Sequence, residues 1–357
     1  MDTGSEERER GVTFDFAQHH FSTDKVDFTI LDAPGHRDFV PNMIGGASIA
    51  DLAVLVVDAT QLDSGMKGQT REHIQLARAV GLQRVVVAIN KLDSTTPAWN
   101  EQAFNDVQAT ISKFLSETGF DESNITFVPC SGLSGDNVAK APTSKNASWI
   151  TGTYSTLLSA LESSQHTATS AESIKRPLRM QIIDVFRGSI TNPLSISGRI
   201  SSGNVQVGDT VTIQPSGETA TIRAIEVSDN SRDYAVSGQI CTLHLADIEE
   251  QHLRAGDLVC STAQPVQSKN MVSAVVEVLE PLLPEPVEVH LGRLQVAGTV
   301  AQLVEVIGQE SKKRPRMLKP GQKARVKVKV DGVPVEAGAR VVLRREGKTV
   351  GFGVVEG

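Results

Sequence analysis

The hydrophobic period of this chain changes once, near residue 165, and that change excludes a single continuous architecture. Up to residue 162, strand-like apolar runs alternate with helical ones. Val26–Leu31, Leu52–Val57, Arg84–Ile89 and Thr126–Val128 read as strands, and Arg71–Val80, Glu101–Thr118 and Tyr154–Glu162 as helices. Parallel strands covered on both faces are apolar along their whole length, so this half predicts an α/β doubly wound sheet. Ligands of such sheets bind at the carboxyl ends of the strands. Residues 163–176 are small, polar and without period, and read as a linker. Beyond them the helical period vanishes. Leu178–Phe186, Leu194–Ile200, Thr210–Ile213, Thr219–Val227, Gly238–Leu245 and Asp257–Cys260 are short β-rich runs separated by turn residues. A Pro-rich stretch from Pro281 to Pro286 interrupts the pattern. Leu294–Val306, Ala324–Val330, Ala339–Arg344 and Thr349–Val355 then resume it. Two all-β barrels, 177–266 and 267–357, fit better than one of twice the size.

Composition narrows the partners. The 357 residues carry 42 acidic and 35 basic side chains, a formal charge of −7, which excludes a uniformly basic nucleic-acid coat but not a local patch. One such patch exists: Lys312–Lys329 holds nine basic residues and no acidic one. Lys323, Arg325, Lys327 and Lys329 alternate as one face of a strand would. Either they meet nucleic-acid phosphates, or they are a solvated face whose lysines discourage edge pairing. No apolar run is long enough to span a bilayer, so no membrane partner is expected. Cys130, Cys241 and Cys260 are far apart and have no metal-ligand spacing, so they read as reduced thiols.

The chemistry lies at predicted strand ends. Val26–Leu31 runs into Asp32-Ala33-Pro34-Gly35-His36. A carboxylate there can hold Mg²⁺ through water, and a glycine three residues on lets its N–H approach a γ-phosphate. Arg84–Ile89 runs into Asn90-Lys91-Leu92-Asp93. The Asp93 carboxylate can accept from the N1–H and exocyclic amine of guanine, a donor pair adenine lacks. Asn90 can bond the base and tie loops together, and the Lys91 stem can cover the ring face. Thr126–Val128 leads to Cys130-Ser131-Gly132-Leu133, whose backbone N–H groups can meet the guanine carbonyl. Three such elements in order, each ending a strand, point to a guanine-nucleotide site.

These residues resemble the translational GTPases of the elongation factor 1-alpha group, and the resemblance covers essentially the whole chain. It implies an incomplete P-loop NTPase-like G domain over 1–162, followed by two barrels. It implies a GTPase that uses GTP and Mg²⁺, with Thr13 and Asp32 toward the metal and His36 orienting the attacking water. Asp32, Gly35, Asn90, Lys91, Asp93, Ser131, Gly132 and Leu133 would hold GTP. Within the group, Pro41 in Arg37–Ile44 resembles Hbs-type rescue factors and class-two release factors more than aminoacyl-tRNA delivery factors. The segments Gly119–Ile125 and Ser131–Asn137 look most like the Hbs type. That implies a cytoplasmic monomer that delivers a Pelota-like partner to stalled ribosomes; on the charge reading above, the 312–329 segment could then touch ribosomal RNA phosphates.

One departure is large. No G-x-x-x-x-G-K-[ST] phosphate-binding loop occurs; Gly347-Lys348-Thr349 has Val342 where the first glycine should stand. In the family that loop lies upstream of the first switch, on an interior strand of the sheet. A truncated chain is therefore expected, with apolar surface exposed on neighbouring strands and no GTP turnover by the chain alone. A nucleotide-free binding module is the alternative.

Overall fold

The computed structural model describes residues 17–33, 40–61, 69–164, 171–187, 194–308 and 312–357. The chain forms two compact units: residues 1–43 with 50–166, and residues 44–49 with 167–357.

The first unit contains a hairpin and a parallel sheet. Strands β1 (Ala17–Ser22) and β2 (Asp27–Asp32) pair antiparallel, with Phe21 stacked on Phe28. The short helix α1 (Val40–Ala47) starts in this unit and its residues from Ile44 on count with the second; Val40, Met43 and Ile44, the i, i+3, i+4 positions of one helical face, are buried. Strands β3 (Ala53–Asp58), β4 (Val85–Asn90) and β5 (Ile125–Pro129) form the parallel sheet in the order β3-β4-β5. Between them run α2 (Gln69–Ala79) and α3 (Glu101–Glu117), and α4 (Leu157–Ser163) follows β5. Asn100 caps α3 through Ala103 N–H, and its face Phe104, Val107, Ile111 and Leu115 packs on Val85, Val87 and Ile89. On the other face, Ala160 of α4 covers Val86 and Val128.

That second face is open at β3. Val54 and Val56 stand beside Val86 and Ala88 in register, yet are 42% and 62% exposed. Ile30 of β2 is 38% exposed, and no ladder joins β2 to β3 among the described residues. The expected exposure of apolar strands is found here.

Both barrels of the second unit close. The first comprises β6 (Arg179–Phe186), β7 (Leu194–Ser202), β9 (Thr210–Gln214), β10 (Thr219–Val227), β13 (Ile240–Ala246) and β14 (Leu258–Ser261). Its order is β10-β13-β7-β6-β14-β9, closed by β9 on β10. Short β8 (Asn204–Gln206) pairs with β12 (Tyr234–Val236), and β11 (Asn230–Arg232) extends β10. The second barrel comprises β15 (Ser268–Val278), β16 (Pro286–Leu291), β17 (Leu294–Ile307), β19 (Lys323–Pro334), β20 (Arg340–Arg345) and β21 (Lys348–Val355). Its order is β16-β20-β21-β15-β19-β17, closed by β16 on β17, with two-residue β18 (Lys312–Lys313) beside β17. The Gly347-Lys348-Thr349 triplet lies in the β20–β21 hairpin, with no helix behind it.

The linker expectation needs correction. Ala171–Lys175 forms helix α5, and Ser173 and Ile174 are tied to the first barrel. Gly203 N–H donates to Ser173 O at 2.9 Å and Asn204 Nδ2 to Ile174 O at 3.1 Å. A sequence without apolar period is ordered here by hydrogen bonds to the neighbouring barrel. All three cysteines are free and buried, and burial pushes the Cys130 thiol up to about 11.

The barrels meet through β6. Gln181 Nε2 donates to Leu291 O at 2.8 Å and Gly256 O at 3.2 Å, while its Oε1 accepts from Arg293 N–H at 2.9 Å. Arg179 makes a two-pronged pair with Glu336, both contacts at 2.8 Å. Gly292 has a φ of +61°, and a Cβ there would fall 2.1 Å from Gln181 Oε1, so a side chain would be strained and would displace the Gln181 amide.

Candidate functional site

The parallel ladder sets the site. Asp58 and Asn90 end β3 and β4 in register, and Cys130 follows β5 with its N–H bound to Ile89 O at 2.9 Å. Three loops thus leave the sheet side by side. Asn90 fastens two of them, because its Oδ1 accepts from Lys91 N–H and Gly132 N–H, both at 2.8 Å. Fully buried Leu92 anchors the middle loop, and Trp99 N–H donates to its carbonyl at 2.7 Å. Lys91 adopts a left-handed backbone, φ +64°, which turns its exposed side chain back across the strand ends.

Two carboxylates there behave differently. Asp58 is satisfied: Oδ1 accepts from Thr60 N–H at 2.8 Å and Thr60 Oγ1 at 2.7 Å, and Oδ2 pairs with Lys91 Nζ at 2.7 Å. Burial pushes its carboxyl up, but the Lys91 and Thr60 hydrogen bonds together outweigh this and hold it below the usual range. Asp93 is not satisfied. Its Oδ2 accepts from Ser94 Oγ at 3.2 Å, but its Oδ1 is shielded from solvent and has no hydrogen-bond partner. A buried acceptor without a donor costs about 1–3 kcal/mol, which makes this oxygen a candidate acceptor for a ligand donor.

The β5 loop modifies one expectation. Ser131 N–H is committed to Asp136 O at 3.0 Å and Gly132 N–H to Asn90, whereas no partner is found for Leu133 N–H among the described residues. Leu133 is exposed, which makes its amide the candidate donor for a base carbonyl. Ser131 is buried, and its Oγ accepts from Ser134 N–H at 3.2 Å, a structural role in shaping the loop.

The structure therefore brings together Asn90, Lys91, Asp93, Ser131, Gly132 and Leu133. Asp32 ends β2, in register with Ala17. Thr13, Gly35 and His36 lie outside the described residues. For Mg²⁺ the described residues offer Asp32 without a second ligand, so no step is derived through the metal. Asp58 was missed from sequence, because only the parallel register shows that it reaches Lys91.

A carboxylate with an unpartnered oxygen, a loop amide and a lysine stem thus stand at the ends of adjacent parallel strands, in a chain that continues into two closed barrels. Family models agree over nearly the whole chain. The elongation factor Tu GTP-binding domain matches residues 1–187, elongation factor Tu domain 2 matches 196–260, and the elongation factor Tu C-terminal domain matches 286–357. Elongation factor 1-alpha of Metallosphaera sedula is 37% identical over 99% of this chain and 84% of its own length. The elongation factor 1 alpha-like protein of Schizosaccharomyces pombe is 38% identical over 100% of this chain and 61% of its own. The chain belongs to the elongation factor Tu/1-alpha family of translational GTPases. The fold agrees with the GTPase-like domain of Ski7 from S. cerevisiae, with a TM-score of 0.78 at 18% identity, covering 99% of this chain and 85% of that one. It also agrees with SelB from Methanococcus maripaludis, with a TM-score of 0.76 at 19% identity, covering 97% and 74%.

Proposed function

We propose that this chain carries the guanine-reading half of a ribosome-dependent GTPase of the Hbs type, which delivers a Pelota-like partner to stalled ribosomes. The orphaned Asp93 Oδ1 carries the nucleotide reading: a buried acceptor beside a second carboxylate oxygen fits two adjacent N–H donors on one ring edge. Pro41 and the segments Gly119–Ile125 and Ser131–Asn137 support the Hbs type over the release-factor and delivery-factor alternatives. Cytoplasmic localisation follows from that role. We further propose that hydrolysis requires a phosphate-cradling G-x-x-x-x-G-K-[ST] segment in addition to these 357 residues, with Thr13 and Asp32 toward Mg²⁺ and Gly35 toward the γ-phosphate. Without it, the reading is a binding module without turnover.

The test uses the chain with such a segment supplied. Asp93→Asn should shift preference from GTP toward xanthosine triphosphate. The amide turns one acceptor into a donor that faces the guanine amine, while xanthine presents a carbonyl there. An unchanged ratio of the two affinities would remove Asp93 from the site. In the same preparation, His36→Ala should keep GTP affinity and lose ribosome-stimulated turnover by a factor of about 10²–10⁴, the contribution of one positioned catalytic side chain. Equal stimulated rates in variant and parent would refute a water-orienting role.

A further inference from the structure

The carboxylate at the end of β3 does more than close a turn. Asp58 is the last residue of β3 and stands in parallel register with Asn90, the last of β4. Neighbouring strands lie about 4.8 Å apart, so the long side chain that follows Asn90 can reach across to β3. One rung further, Ala59 N–H donates to Asn90 O at 2.9 Å and fixes the β3 loop against the end of β4. The two Asp58 oxygens are used separately. Oδ1 takes both Thr60 contacts and holds the turn, whereas Oδ2 faces Lys91 Nζ at 2.7 Å.

The fold gains little from this pair. The Lys91 side chain is 56% exposed, and an ion pair that open adds little to stability. Its cost is plain. The lysine gives up rotamer freedom, and a residue other than glycine is held at φ +64°. What the pair achieves is geometric. With the Lys91 backbone at the end of β4 and its ammonium tied to the end of β3, the four-carbon stem runs from one strand end to the next. Asp93, with its unpartnered Oδ1, stands two residues on in the same loop. That carboxylate is the competing partner for the same ammonium, and Asp58 draws the charge away from it.

We propose that Asp58 is a positioning residue of the base site: it anchors the Lys91 ammonium, so that the lysine stem becomes a fixed apolar rail for one face of a guanine ring and Asp93 Oδ1 stays open for the ring's edge. The inference rests on the guanine reading given above. It divides the work between two carboxylates. Asp93 reads the edge and decides which base is taken. Asp58 touches no ligand and decides how firmly the ring is gripped, acting only through Lys91. An unanchored lysine would have to be ordered at each binding event, and the entropy lost then would be subtracted from affinity.

The test is an NMR titration of the full chain with millimolar guanosine, followed at the Leu133 amide. Guanosine is uncharged and leaves phosphate contacts out of the measurement. Asp58→Asn keeps an oxygen for Thr60 and removes only the charge facing Lys91. It should weaken guanosine about three- to fivefold, the range of a partly exposed ion pair. That difference should shrink below about twofold as NaCl rises from about 20 to about 500 mM, which an altered turn would not do. In a Lys91→Met background, where an unbranched apolar stem carries no charge, Asp58→Asn should make no further difference. Inosine, which lacks the exocyclic amine, should lose the same factor as guanosine. Equal guanosine affinity in parent and Asp58→Asn overturns the proposal, as does an equal loss in the Lys91→Met background or a loss confined to guanosine. If Asp58→Asn melts early, Lys91→Met alone decides: it should abolish the salt dependence of guanosine affinity, and an unchanged dependence overturns the proposal. A parent that gives no shift at Leu133 removes the guanine reading itself, and this inference with it.

Discussion

The parallel sheet and the two barrels resolve their strand edges in opposite ways. In each barrel the last ladder, β9 on β10 or β16 on β17, returns the sheet to its start, so every principal strand is paired on both sides. Among the described residues the parallel sheet ends at β3, whose Val54 and Val56 remain open to solvent. A barrel's pairing is therefore closed within its own strands, while β3 leaves one edge of the sheet open among the described residues. The open Val54 and Val56 lie on the same strand that ends in Asp58, in register with Asn90.

Cutting the two regions apart should have the largest effect. Residues 171–357 should survive limited proteolysis as a folded fragment, while residues 1–162 should be degraded. The intact 357-residue chain should show no calorimetric signal with micromolar Mg²⁺-GTP, because charge-assisted phosphate contacts are each worth about 1.5–3 kcal/mol and base contacts alone are left. A protease-resistant sheet half, or micromolar binding, would mean that the sheet is not waiting for a further strand.

Single substitutions sharpen the same contrast. Leu343→Ala, in the closed core of the second barrel, should cost about 2–5 kcal/mol of that unit's stability. Val56→Ala, an equally apolar truncation on the open face, should change stability by less than about 0.5 kcal/mol. Denaturant melts of both variants would compare them; a costly Val56→Ala would show that its face is covered after all.

The smallest effect is a pH dependence of the first barrel. Burial pushes the Asp257 carboxyl up to about 6, and the hydrogen bond from Arg254 N–H only partly offsets this. Its folded value exceeds the usual unfolded one of about 3.9, so the native state binds more protons between roughly pH 4 and pH 6. The barrel should therefore lose stability as pH rises through that window. Asp257→Asn should remove the dependence and gain about 1–2 kcal/mol at neutral pH, read from melting curves at pH 4, 5, 6 and 7. A pH profile identical in variant and parent would show that this carboxyl ionises freely in the fold.

The contrast also explains what could be read from sequence. The β4 strand and its Asn90–Asp93 extension were legible because a fully buried parallel strand is a continuous apolar run with a polar end. The β1 strand was not, because Gln18, His19, His20 and Ser22 give no apolar alternation, and only pairing with β2 makes it a strand. Helix α1 contains Pro41, Gly45 and Gly46, so propensity argued against it; burial of Val40, Met43 and Ile44 overrides that. Strands β15 and β16 do alternate, but they flank the Pro-rich stretch, which reads as a break in the pattern. Asp58 was out of reach for another reason. Its partner Lys91 is 33 positions away, and only the parallel register brings them together.

The joint at Gln181 has a consequence of its own. Two carbonyls meet the amide's nitrogen and one N–H meets its oxygen, so the group fits in one orientation only. An amide carries no net charge, and neither dissolved salt nor ordinary changes of acidity alter what it can donate or accept. The neighbouring Arg179–Glu336 pair is charged, and Glu336 is about half exposed, so that contact fades as ions accumulate. The two barrels are thus fastened by one clasp that responds to the ionic medium and one that does not. Concentrated salt would loosen their alignment without undoing it.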